Sequence, residues 1–317
     1  MQRIPAIDIG PDADSEKNTQ AVEDACRDIG FMYVVNHGID QAVIAGIRSA
    51  VVRYFGRPLG DKLRDRITRE NYRGYIPVAF FSPNTGGTDS DNYEGYKLHF
   101  EVAADDPIRD ECDLYGPNKW PEGPAGFRDA VLAYWQACDA VAEKLFRLLA
   151  MPLGEDPDRF VSWFDKPLTN MTLLHYPVQS NGAFGIHPHK DTDALTIIAG
   201  DEVEGLMVRR RDGDDWIAAK PPDDALVVNI GDMMELWSGG YFISTPHKVE
   251  NTGSERYSFP YFAVPRHDVI VEPLRKPEQG FERSSMRVVD VSREVWRTNW
   301  LGAAPQATRY DLGTLED

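Results

Sequence analysis

His189, Lys190 and Asp191 stand together in the chain, His247 follows far downstream, and Arg256-Tyr257-Ser258 comes a few residues later. Two imidazoles and one carboxylate are the protein half of a 2-His-1-carboxylate facial triad, which holds Fe(II) on one face and leaves positions open for oxygen and a chelating cosubstrate. Residues i and i+2 of a strand project to the same face, so His189 and Asp191 reach one metal if their segment is extended. His247 lies in Thr245-Pro246-His247-Lys248-Val249-Glu250, ahead of the turn signal Asn251-Thr252-Gly253-Ser254 and the alternating run Arg256-Tyr257-Ser258-Phe259. That pattern predicts an antiparallel hairpin with Ser258 opposite His247 and Arg256 one pair further along. A guanidinium binds a carboxylate through two parallel hydrogen bonds, so Arg256 and Ser258 read as an anchor for an acid. His187 also precedes His189 by two residues, and spacing alone leaves open which of them faces the metal.

Taken in order, His189-x-Asp191 with Leu195-Thr196, then Gly205-Leu206, Asn229-Ile230-Gly231-Asp232, Thr245-Pro246-His247-Lys248-Val249 and Arg256-x-Ser258-x-Pro260-Tyr261-Phe262 form a longer pattern. It resembles the iron/2-oxoglutarate-dependent oxygenases of the isopenicillin N synthase type. The front of the chain is similar as well. Ala21 to Phe31 running into Val35-Asn36-His37-Gly38, Tyr54-Phe55 with Pro58 and Lys62, Arg73-Gly74-Tyr75, and Trp120-Pro121 before a long helix all match, so the likeness runs from Ile4 to Phe262. In that family the His-x-Asp sits just before the Leu-Thr pair, which selects His189 over His187. The resemblance implies Fe(II) held by His189, Asp191 and His247. It also implies 2-oxoglutarate chelating the iron, with its distal carboxylate on Arg256, Ser258 and Tyr176, and O2 as the oxidant, giving succinate and CO2. Leu174 departs from the pattern where many relatives carry Asn, and Gly239 replaces the Asn of a Ser-Asn-Gly turn.

The elements that must position these groups are also visible. Ile4 to Ile9 predicts a first strand, Glu16 to Asp28 and Gln41 to Phe55 predict helices, and Phe31 to Val35 a strand between them. Phe127, Val131, Tyr134, Cys138, Val141, Leu145 and Leu148 recur at steps of three and four, one apolar stripe on a helix from Ala125 to Ala150. Beyond it short β-prone runs dominate: Met171 to Tyr176, Leu195 to Ala199, Leu206 to Arg210, Trp216 to Ala219 and Leu226 to Ile230. Many short strands separated by turns suggest a sandwich or jelly roll. The fold expected is therefore mainly β with flanking helices around a distorted jelly-roll, or double-stranded β-helix, core. The chain is expected to be a single oxygenase domain over 1–317, with an N-terminal helix and strand region at 1–120, a long-helix region at 121–167 and the metal-bearing jelly roll at 168–270. The extension at 271–317 is expected to carry a helix with Ser292 as N-cap, whose Val295, Trp296 and Trp300 either pack on the barrel wall or close the mouth of the pocket as a lid. Ser82 to Asp89 is the clearest loop.

Composition narrows the function classes. A formal net charge of −17 argues against a nucleic-acid backbone as partner. The three cysteines, Cys26, Cys112 and Cys138, imply no disulfide framework, and no apolar run approaches membrane-spanning length, which points to a cytoplasmic enzyme. The partner is a small-molecule substrate, with hydroxylation, desaturation or cyclisation as outcomes; nothing fixes the oligomeric state. Substrate-contact candidates are Arg73, Tyr75, Phe80, Phe81, Trp237, Phe242 and Phe262, while Lys97 and His99 share one face of an expected strand from Tyr96 to Glu101. Rival readings are an isopenicillin N synthase-type oxidase that uses no 2-oxoglutarate, a hydrolase whose triad holds Zn(II), and a non-catalytic metal-binding jelly roll. Release of CO2 from 2-oxoglutarate separates them.

Overall fold

The computed structural model describes residues 3–12, 15–81, 90–178, 184–199, 204–209 and 215–300. The N-terminal region supplies β1 (Ala6–Asp8), α1 (Ser15–Asp28), β2 (Phe31–Val35), α2 (Gln41–Phe55), α3 (Leu59–Arg64), β3 (Gly74–Ile76), β4 (Glu94–His99) and α4 (Ile108–Glu111). Next come α5 (Phe127–Leu153) and α6 (Pro157–Ser162), then β5 (Asn170–Tyr176), β6 (Phe184–His189), β7 (Leu195–Ala199), β8 (Leu206–Arg209), β9 (Trp216–Ala218) and β10 (Leu226–Ile230). α7 (Asp232–Trp237), β11 (His247–Glu250), β12 (Arg256–Ala263), β13 (Ile270–Val271), β14 (Met286–Arg287) and α8 (Val288–Thr298) complete the order.

Two sheets make the core. An eight-stranded sheet runs β1-β2-β10-β7-β12-β5-β4-β3, and a four-stranded sheet runs β6-β11-β8-β9. Period-two alternation gives each strand of the large sheet two different faces. On β12 the residues Tyr257, Phe259 and Tyr261 face the helices, where Phe259 meets Tyr134 and Tyr261 meets Trp135 of α5. The stripe read from the sequence is what α5 buries there, and the helix stops at Gly154, whose left-handed φ of 74° lets its N–H cap the carbonyls of Ala150 and Met151. The opposite face of the large sheet packs on the small one: Tyr33, Val227, Leu174 and Tyr176 share a buried cluster with Leu206, Val208 and Val249. This is the expected jelly-roll core with flanking helices, and β1 to β4 complete its larger sheet.

Three local expectations change. β11 and β12 do not form a hairpin. β11 pairs with β6 and β8 in the small sheet, β12 pairs with β5 and β7 in the large one, and Ser258 lies opposite Leu174 instead of His247. The Asn251-to-Ser254 segment is thus a corner between sheets, with β11 taking both its neighbours from the small sheet and β12 both from the large one. Second, β6 ends at His189, so Asp191 is reached by a loop and not by strand alternation. Third, α8 begins at Val288, not Ser292, since burying Val288, Val289 and Val291 outweighs the capping preference of a serine one turn later. The loop at Ser82 to Asp89 and the tail beyond Trp300, on which the lid expectation partly rests, lie outside the described residues. Among the described residues no helix is long and apolar enough to cross a membrane, and all three cysteines are free and buried.

Candidate active site

The two histidines are cross-strand neighbours. His247 of β11 pairs directly with His189 at the end of β6, which sets the rings on one face with centroids 4.3 Å apart. Each ring is oriented by its Nδ1, which lies 2.8 Å from the His187 carbonyl in His189 and 3.2 Å from the Thr245 carbonyl in His247. A carbonyl can only accept, so each ring carries a proton on Nδ1, and Nε2, turned toward Asp191, is the atom a metal would take. Phe31 closes on His247 edge to face at 5.5 Å.

Asp191 arrives from the loop by which the chain leaves the small sheet for the large one. Its carboxylate is then held by the large sheet: Thr196 of β7 donates to Oδ2 at 2.5 Å and Asn229 of β10, paired opposite Thr196, donates to the same oxygen at 2.8 Å. Its backbone carbonyl accepts from Asp232 N. Oδ1 and Oδ2 lie 3.7 Å from Nε2 of His189 and His247 respectively, and one ligand atom from each of the three residues falls within 4.8 Å of the others. Burial pushes the Asp191 carboxyl up, but the two imidazoles and the Thr196 and Asn229 bonds outweigh it and keep it below the usual carboxylate range. Burial, reinforced by His189, lowers His247 to about 4, so it is neutral at physiological pH. Asp193 goes the other way: burial and the charge of Asp191 push it well above the usual carboxylate range. Thr196 has one hydroxyl proton and sits 2.9 Å from Asp193 Oδ2. The shorter of its two carboxylate contacts, to Asp191, is the one that fixes the triad.

Arg256 opens β12, opposite Tyr176 on β5, and its guanidinium lies 4.9 Å above the Tyr176 ring. It is 7% exposed, yet its Nε and Nη1 have no hydrogen-bond partner. A buried cation with two donor nitrogens lacking partners is a site built for an anion. A pocket bounded by Asn92, Tyr176, Gly185, Thr252 and Arg256 lies there, and Ser258, also buried, follows on the same face of β12. Gly185 permits the approach, since a Cβ there would fall 2.6 Å from the Tyr176 ring. The Tyr176 phenol is pushed up to about 12, chiefly by burial, and stays protonated as a donor.

The remaining sequence-selected residues divide. His187 is engaged by Asp91, with ring Nδ1 at 2.7 Å and backbone N at 3.0 Å from the same carboxylate oxygen, so it is not brought into the triad. Phe262 lies on the inner face, between Thr196 and Asn170 on the adjoining strands. Tyr75, Trp237 and Phe242 are packing residues instead of cavity walls. The Tyr75 hydroxyl bonds Glu94 at 2.5 Å on the helix side of the sheet, Trp237 stacks on Trp163 at 5.3 Å, and Phe242 is fully buried in the main core. Arg73 is buried and tied to the Leu114 carbonyl, beneath Trp296 of α8. Phe80 and Phe81 pack with Trp300, and Trp296 stacks on Tyr72 at 5.0 Å, which seats α8 on the N-terminal region. Sequence reasoning did not single out Thr196, Asn229, Asp91 or Asn92 as functional. Thr196 and Asn229 had a readable signal: each is a polar residue inside an otherwise apolar strand, and buried polar groups need partners.

Residues 4–123 match the family described as non-haem dioxygenase in morphine synthesis N-terminal, and residues 168–265 match the 2OG-Fe(II) oxygenase superfamily. Kihadalactone A synthase of Citrus sinensis is 31% identical over 292 residues, covering 86% of this chain and 84% of that protein. A Neurospora crassa protein solved in complex with α-KG and thymine superposes with a TM-score of 0.79 at 25% identity, over 92% of this chain and 96% of that one. JOX2, solved with 2OG, Fe and JA, gives 0.78 at 27% identity over 94% and 86%. The chain belongs to the 2OG-Fe(II) oxygenase superfamily and is an iron- and 2-oxoglutarate-dependent oxygenase.

Proposed function

We propose that His189, Asp191 and His247 hold the catalytic Fe(II), and that Arg256, Ser258 and Tyr176 seat the distal carboxylate of 2-oxoglutarate. The observation that carries this reading is the pair of unpartnered N–H groups on buried Arg256, on the sheet that faces three converging ligand atoms. The donor set suits Fe(II): two neutral imidazoles and one carboxylate form the facial triad. When bound, iron with 2-oxoglutarate and O2 supplies oxidative decarboxylation to succinate and CO2 and an oxidant able to take hydrogen from an unactivated C–H bond.

The chain's own residues supply position and a dry pocket. Thr196 and Asn229 fix the Asp191 carboxylate, the His187 and Thr245 carbonyls fix the rings, and the Arg256 fork orients the cosubstrate. The prime substrate is a small metabolite, a reading supported by two structural neighbours solved in complex with thymine and with JA. It is hydroxylated, desaturated or cyclised. One oxygenase domain spans the chain in this reading, supported by β1 to β4 lying in the same sheet as β5, β7, β10 and β12. The net charge of −17 supports a protein that binds no nucleic acid, and the cytoplasm is the compartment we propose for it.

The test is CO2 release from 2-oxoglutarate under Fe(II) and O2, together with iron stoichiometry. One iron per chain with no 2-oxoglutarate consumed, across a broad panel of metabolites, would favour the oxidase that binds its substrate's own carboxylate at Arg256.

A further inference from the structure

Lys97 sits on β4, paired with Thr172 of β5 and Gly74 of β3, on the same face of the large sheet as the Asp191 supports. Its ammonium donates to Asn170 Oδ1 at 2.6 Å and Thr172 Oγ1 at 2.9 Å, and lies 5.2 Å from the Phe262 ring centroid. Asn170 adjoins Phe262, and Phe262 adjoins Thr196, which bonds Asp191. Three strand spacings separate Lys97 on β4 from Thr196 on β7, on the order of 14 Å between backbones, and the amine reaches back over β5 toward the metal site.

Three features mark it as more than a strap between strands. Both acceptors are neutral, and among the described residues no carboxylate lies within ion-pair distance, so the charge is uncompensated. Of its three N–H donors only two have partners. Lys97, Asn170 and Phe262 are each partly accessible although β4, β5 and β12 are interior strands whose other face is sealed by helices. The access therefore comes from the inner face of the sheet. Burial lowers the amine to about 7, with Asp193 and Asp191 opposing, so an arriving anion would restore the full charge.

We infer that Lys97 is the anchor for a carboxylate on the prime substrate, which makes that substrate a small acid whose apolar body lies over Phe262. The inference rests on the oxygenase reading of the neighbouring site. An amine at this distance from the metal edge fixes one end of the substrate and leaves the other end as the part presented for oxidation.

The test uses the protein loaded with Fe(II) and 2-oxoglutarate under argon, where no turnover occurs. Calorimetry follows binding of phenylacetate, 3-phenylpropionate and 4-phenylbutyrate, each against its carboxamide, to wild type, Lys97→Gln, Lys97→Arg and Lys97→Glu. Wild type should bind at least one acid roughly 10- to 100-fold more tightly than its amide. That preference should vanish in Lys97→Gln, survive in Lys97→Arg, and turn toward 2-phenylethylamine in Lys97→Glu. Thermal melting shows which variants are folded, and the wild-type comparison stands even if none is. Absence of any acid preference in wild type, or its persistence in folded Lys97→Gln, overturns the inference. Failure of 2-oxoglutarate itself to bind wild type is a separate result, and it overturns the cosubstrate assignment instead.

Discussion

Arg256 is the residue at which the structure makes its most quantitative demand. Its guanidinium is buried, two of its donors have no partner, and the Tyr176 ring lies beneath it. Truncating one member of a desolvated, hydrogen-bonded charge pair costs about 2–5 kcal/mol. Arg256→Ala should therefore weaken 2-oxoglutarate by roughly 30-fold to several thousandfold. Lysine should restore only part of this, because it is a point charge without the fork. Stability provides a second readout with an unusual sign. Each unsatisfied buried donor costs about 1–3 kcal/mol, so Arg256→Met should leave the ligand-free protein at least as stable as wild type. Addition of 2-oxoglutarate at a hundredfold its Kd adds about 2.7 kcal/mol to wild type. For 317 residues at ~2.1 cal/mol/K per residue, that is a rise of about 4 °C in Tm, and the Met variant should show none. Equilibrium binding, melting curves and CO2 release together decide it. A variant that keeps 2-oxoglutarate affinity within threefold, while losing only affinity for the prime substrate, would refute the assignment of this pocket to the cosubstrate.

Asp191→Ala should abolish tight binding of one Fe(II) per chain and all turnover in a folded protein, whereas His187→Ala, whose ring is committed to Asp91, should keep its iron by metal analysis. Gly185→Ala would press a methyl to within 2.6 Å of the Tyr176 ring; we expect 2-oxoglutarate affinity to fall about tenfold or more, with iron binding unchanged, and an unaltered Kd would remove Tyr176 from the pocket wall. Protons compete with the metal in acid: His247 is lowered to about 4 from 6.5, and Asp191 is also lowered, so the unfolded chain binds more protons and this stabilisation, full above pH 6.5, declines as pH falls toward 4. The Tm difference between wild type and His247→Gln should shrink over that interval, and a difference that grew on acidification would contradict the buried neutral imidazole.

Much of the site was legible because strand periodicity and residue chemistry agreed. The Arg256-x-Ser258 alternation does place both side chains on one face, and the β-prone runs from Met171 to Ile230 do become strands. Local patterns miss what depends on partners far away in the chain. Tyr75 looked equivalent to Arg73 as a cavity residue, but the β3–β4 register sends it to the helix side of the sheet, beside Tyr96. Trp237 and Phe242 are large apolar residues between two motif blocks, and nothing in their spacing separates a cavity wall from a core. Asp191 was selected for a reason that does not hold, since the strand ends at His189 and it is Thr196 and Asn229, on other strands, that aim the carboxylate.

The failed hairpin has the largest physical consequence. In a hairpin, the spacing between His247 and Arg256 would be fixed by strand register, in steps of one residue. The chain instead crosses between sheets repeatedly, and two of those crossings, at Asp191 and between β11 and β12, frame the site. The imidazoles thus belong to the small sheet, while Arg256 and the supports of Asp191 belong to the large one. Their separation is set by how the two sheets pack, and the residues that set it are Leu206, Val208 and Val249 against Leu174, Tyr176 and Val227. A diacid that chelates a metal at one end and meets Arg256 at the other bridges those layers. Its binding is coupled to inter-sheet packing in a way no hairpin would impose, and this cluster is where substitutions distant from every polar contact can still alter cosubstrate affinity.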